Sequence, residues 1–158
     1  MKRALLLLAV IAGALGAVPA AGQTTVSVGA GGIYPPGTTF NGVPINALQS
    51  GYGVEIASSG GSAFGQFSTI LLGINALGLE QNIVIVGKAS SGSKSAANIV
   101  TFSGTCSVNM GDGTPPTLDV PFTATITTDA DGQGTIGLVI GLTTLPNAVV
   151  NEGSMTIE

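Results

Sequence analysis

Apolar and polar residues alternate along most of the chain with a period of two. In PFTATITT (121–128), Phe122, Ala124 and Ile126 oppose Thr123, Thr125 and Thr127. In YGVEIA (52–57), Tyr52, Val54 and Ile56 oppose Gly53 and Glu55. In TIGLVIGL (135–142), Ile136, Leu138, Ile140 and Leu142 oppose Thr135, Gly137, Val139 and Gly141. Side chains on a strand point to opposite faces in turn, so this pattern predicts strands with one buried face. NIVIVGKA (82–89) is apolar at both parities, which predicts a strand covered on both sides. No stretch after residue 23 keeps a helical period. Ile74–Gln81 could form one helical turn, but Gly73 and Gly78 weaken it.

Turn residues fall between these runs: SSGGS (58–62), SSGSKSAAN (90–98), GDGTPP (111–116) and DADGQG (129–134). Glycine supplies positive φ there, and Asp bonds its own backbone. The expected hairpins join 52–57 to 63–72, 82–89 to 99–108, and 121–128 to 135–142, and a strand ending at Ile157 closes the sheet. The fold class read from this spacing is all-β: one antiparallel β-sandwich or barrel of about 6 to 9 strands. PPGTTFNGVPI (35–45) and PPTLDVPF (115–122) echo each other weakly. Their spacings differ, and Pro at strand entry is ordinary.

The first 22 residues break the pattern. Lys2 and Arg3 precede an apolar run from Ala4 to about Leu15, and small residues surround Pro19. These are the three regions of a secretory signal peptide, with cleavage expected after Ala20 or Gly22. The run is short for a membrane span, which needs about 20 residues. The expected organisation is a signal peptide at 1–22, an N-terminal strand with a Pro- and Gly-rich lead-in at 23–48, and an antiparallel β-domain at 49–158. The protein is thus expected to be secreted, or held in the periplasm or at the cell surface, in the manner of bacterial exported proteins. No membrane span is expected once the signal is removed.

Export changes the charge balance. The mature chain keeps Lys88 and Lys94 against eight acids, a net charge of 2 − 8 = −6, with no Arg and no His. Phosphate contacts need clustered Lys and Arg, so nucleic acid is not an expected partner. Only 8% of the chain is charged, and hydroxyl and amide side chains must supply the polar surface. Such a surface is weakly protected against self-association.

Candidate chemistry is sparse. Asp129, Asp131 and Gly132 in DADGQG resemble the opening of a calcium loop, and Asp112 in Gly-Asp-Gly is a third candidate ligand. A calcium loop of that kind closes with a bidentate Glu at its twelfth position. Counting from Asp129, that position is Ile140. The expectation is therefore a turn, with calcium as the weaker alternative and no other cofactor. The single cysteine, Cys106, shares the apolar parity of Val100, Phe102 and Val108, and is expected to be buried and inert. With no His to activate a nucleophile, catalysis has few tools. A Ser93–Lys94–Ser95 cluster and a Glu55–Glu80 carboxylate pair are the remaining candidates, and neither is expected to act. The function expected is a non-catalytic structural or interaction domain. A small-ligand-binding β-barrel is the alternative, and an enzyme of unknown class the second.

Overall fold

The computed structural model describes residues 22–57 and 61–158, so the expected signal peptide up to residue 21, and residues 58–60 of the SSGGS turn, lie outside it. Ten β-strands and no helix are present among the described residues. None of them forms a helix long and apolar enough to cross a membrane.

Alternation sets the strands, and each one pairs antiparallel with its neighbours. β1 (Thr24–Ile33) lies between β10 (Ala148–Ile157) and β3 (Val43–Ile56). From β3 the sheet continues through β4 (Ala63–Gly73), β5 (Ile83–Ala96), β6 (Ile99–Asn109), β7 (Thr117–Thr128) and β8 (Gly134–Ile140). Two short strands are appended: β2 (Thr39–Phe40) pairs with the start of β3, and β9 (Thr143–Thr144) with the end of β8. β8 in turn pairs with β10 through Ala148–Val150. The path of pairings thus returns to β1, and each of the eight principal strands has a neighbour on both sides.

One face of this sheet forms the core. Val26 and Val28 of β1, Val54 and Ile56 of β3, Phe67 and Leu71 of β4, and Ile83 and Ile85 of β5 are buried at every second position. The rings of Tyr52, Phe67, Phe102 and Phe122 fill its middle, with Phe67 and Phe122 stacked at 4.5 Å and the others edge-on or tilted at 5.2 to 6.2 Å. Offset and edge-to-face arrangements suit the ring quadrupoles. Gly104 makes room for this packing. A Cβ there would collide with the Lys88 carbonyl and come within 3.1 Å of the Phe122 ring. Ser50 and Thr69 face inward as well and satisfy each other at 2.7 Å across β3 and β4.

Several boundaries differ from the sequence reading. β5 runs to Ala96, so the expected long turn at 90–98 shrinks to Ala97–Asn98. β5 is not covered on both sides: Ile83 and Ile85 are buried, while Val84 and Val86 are 37% and 45% exposed. A sheet whose pairings close on themselves has one inner face, so apolar residues of the other parity meet solvent. Leu142 does not continue the buried face of β8. Gly141, at φ 60°, turns the chain after Ile140 and leaves Leu142 fully exposed. The expected lead-in at 23–48 and the domain from 49 share one strand, since β3 runs through both. Residues 75–79 form a turn rather than a helical segment.

Candidate interaction surface

Antiparallel strands place successive loops at alternate ends. The connections β1–β3, β4–β5, β6–β7 and β8–β10 therefore lie at one end, and the start of β1 and the C-terminal residues at the other, where Val26 pairs with Ile157. The two ends differ in chemistry. Pro35, Pro36, Pro44, Pro115, Pro116, Pro121 and Pro146, all the prolines of the described residues, lie in or next to the loops of the first end. Proline fixes φ and removes conformational freedom from the unbound loop.

The same end carries most of the exposed large apolar side chains: Ile33, Ile74, Leu77, Leu79, Leu118 and Leu142. Leu77 is 84% exposed and Leu142 fully so. The Leu77 turn is rigidly built. Asn75 Oδ1 accepts from the N–H groups of Leu77 at 2.9 Å and Leu79 at 3.0 Å, and the Gly78 N–H donates to the Asn75 carbonyl at 2.9 Å. Beside it lies a hollow of about 410 Å³ lined by Ile33, Tyr34, Pro35, Pro44 and Ile74 among others. The backbone ties the two together, because the Ile74 N–H donates to the Pro44 carbonyl at 3.0 Å. Phe40, at the tip of the β2–β3 hairpin, is buried and closes the core at this end.

The calcium candidates serve as turn residues. Asp129 Oδ1 accepts from the N–H groups of Asp131 at 3.1 Å and Gln133 at 2.8 Å. Asp112 Oδ1 accepts from the Thr114 N–H at 2.9 Å and its hydroxyl at 2.6 Å, and these bonds hold the Asp112 carboxyl below its usual range. The two turns are at opposite ends of β7, whose twelve residues span roughly 35 Å. Asp112 therefore does not meet Asp129 or Asp131. Among the described residues no three His, Cys, Asp or Glu side chains gather as a metal site.

The other candidates are likewise separated. Glu55 lies near the terminal end, bonded to Gln23 Nε2 at 2.9 Å. Glu80 faces Ile74 at the proline end, so the carboxylates do not share a site. Ser93, Lys94 and Ser95 are all exposed on β5. Cys106 is buried, and burial pushes its thiol up to about 11. Tyr34 and Tyr52 are also buried with their hydroxyl pKa values raised by desolvation, and neither hydroxyl meets a hydrogen-bond partner among the described residues.

The exposed leucines of one end escaped the sequence reading. Alternation identifies inward residues, but says nothing about which loops gather at which end. The available signal was the spacing of the prolines, which fall in or near three of the four connections of this end, all but β4–β5, and in none of the described connections at the other. The chain matches no described protein family, no curated protein and no solved structure.

Proposed function

We propose that this chain is an exported, non-catalytic interaction module: a β-barrel of eight principal strands that docks through its proline-bearing end. The observation that carries this reading is the concentration of exposed leucines at that end, on loops stiffened by prolines or, at Leu77, by the Asn75 turn. Rigid loops lose little entropy on binding, and large exposed apolar patches mark interaction sites. The returning path of strand pairings supports a barrel over an open sandwich. The alternation also runs apolar inward and Thr- or Ser-rich outward on β6 and β7, the reverse of a transmembrane barrel.

The ligand-binding alternative needs an interior chamber. Here four aromatic rings in mutual contact occupy the middle of the core, which weighs against it. The enzyme alternative needs convergent polar groups, and the carboxylates and the lysine considered above are dispersed.

Two measurements test the proposal. Mass spectrometry of the exported protein should show a new N-terminus at Ala21 or Gln23; an intact Met1 chain retained inside the cell would overturn export. Leu77→Asp should weaken retention of the protein at the surface of the producing cell, whereas Phe64→Asp, at the opposite end and also largely exposed to solvent, should leave it unchanged. Equal retention of both variants would overturn docking through the proline end.

A further inference from the structure

We infer that the occupant of the proline-bearing end is a second copy of this chain, joined end to end by a two-fold axis. The inference rests on the interaction reading above and names its partner.

Three observations carry it. First, the end holds both halves of an apolar contact. The rigid turn at Asn75–Leu79 projects Leu77, and the adjoining hollow of about 410 Å³ is lined by Ile33, Pro35, Pro44 and Ile74. A projection and a hollow on one surface are self-complementary under two-fold symmetry, where residue i meets j and j meets i. Second, the apolar surface is substantial. Six large apolar side chains at this end, Ile33, Ile74, Leu77, Leu79, Leu118 and Leu142, are each 44% exposed or more, enough to form the apolar centre of an interface that buries roughly 800 Å² per partner. Third, the opposite end is a poor match for it. Glu55, Asp129, Asp131 and Glu158 lie there, so a head-to-tail contact would place leucines against carboxylates that would lose water without gaining partners. Like therefore meets like, and the assembly closes as a dimer instead of growing as a filament.

Charge sets the salt dependence. Glu80, Asp112 and Asp119 belong to the proline end; Lys88 lines one hollow with Asp119 and offsets part of this charge, while Lys94 lies toward the far end of β5. Two copies bring like charges together around an apolar contact, so screening should strengthen the dimer. A basic peptide partner would show the opposite sign.

The test uses the mature chain in sedimentation from about 1 to 100 µM, the range in which a modest interface is populated. Wild type should be a dimer, tighter at 500 mM salt than at 50 mM. Leu77→Asp should raise the dissociation constant by roughly thirtyfold or more, the scale of losing a central apolar anchor. Phe64→Asp should leave it unchanged. Leu77 is 84% exposed, and Asn75 holds its turn through backbone N–H groups, so the variant should keep the wild-type melting temperature. A monomeric wild type at every concentration, a Leu77→Asp variant that still dimerises, or a dimer weakened by salt would each overturn the inference. If wild type is monomeric but Leu77→Asp still loses surface retention, the second copy is wrong and the interaction reading stands. Cosedimentation of the monomer with phosphatidylcholine vesicles, lost in Leu77→Asp, would assign the same leucines to a lipid surface instead.

Discussion

Cys106 illustrates what one residue inherits from its parity. It lies on the inward face of β6 opposite Gly87, where a Cβ would come within 2.7 Å of the Cys106 Cβ. The thiol thus fills space that the neighbouring strand leaves vacant. A thiol reagent at pH 8 should label it only after denaturation, and labelling of the native protein at the unfolded rate would refute this placement. Burial raises the folded pKa from 9.0 to about 11. A folded pKa above the unfolded one means that stability is complete below about pH 9 and is lost as pH rises toward 11, because only the unfolded thiol ionises in that window. Melting temperature should therefore fall across this range, and Cys106→Ala should flatten part of the decline. Tyr52 makes a second point at this scale. Its hydroxyl is buried without a partner among the described residues, so Tyr52→Phe removes a polar group that gains nothing from the fold. Its stability should stay level or rise by about 1 kcal/mol; a loss of that size would show that the hydroxyl is bonded.

At the scale of elements, the period of two was an accurate guide wherever turn residues bounded it. The pairings 63–73 with 43–56, 99–109 with 83–96 and 134–140 with 117–128 were all legible. Their lengths were not. Ser90–Ala96 reads as a turn by composition, yet β6 pairs with it across two bulges that skip Ser90 and Ser95, and tertiary pairing overrides weak local preference. The turn at 129–134 was legible for a different reason: its Asp and Gly residues mark it in the sequence itself. Asp129 uses one carboxylate oxygen to hold two N–H groups, a role that an amide oxygen also fills. Asp129→Asn should accordingly keep near wild-type stability, and Asp129→Ala should lose about 1 kcal/mol. Millimolar calcium should move the melting temperature by less than about 2 °C relative to chelator. A rise of more than about 5 °C, roughly 1 kcal/mol for a domain of this size, would mean that the turn binds the ion.

At the scale of the whole molecule, the closing strand is the first one. Thr24–Ile33 supplies β1, whose Val26 and Val28 enter the core while Thr25 and Ser27 face out. It is bonded along its length to β3 and to β10, so it links the beginning of the sheet to its end. A closing strand ending at Ile157 was expected, but its pairing with β1 was not legible in local patterning, because alternation fixes which face a strand buries and not which strand lies beside it. The other seam, between β8 and β10, has a ladder of only three residues, so β1 holds most of the closure. Removing residues 22–33 would therefore do more than shorten a terminus. It would expose the edges of β3 and β10, two rows of unpaired backbone groups that invite aggregation, and uncover the side of the core that Val26 and Val28 seal. The truncated chain should lose more than about 5 kcal/mol, comparable with the whole stability of an ordinary domain, and should be aggregated or unfolded by circular dichroism and light scattering. Adding the peptide TTVSVGAGGI in excess should restore a soluble fold, since the vacant position between β3 and β10 has one register for it. A truncated protein that stays folded, monomeric and equally stable would show that the sheet does not need to close, and that the first strand is an accessory to an open sandwich.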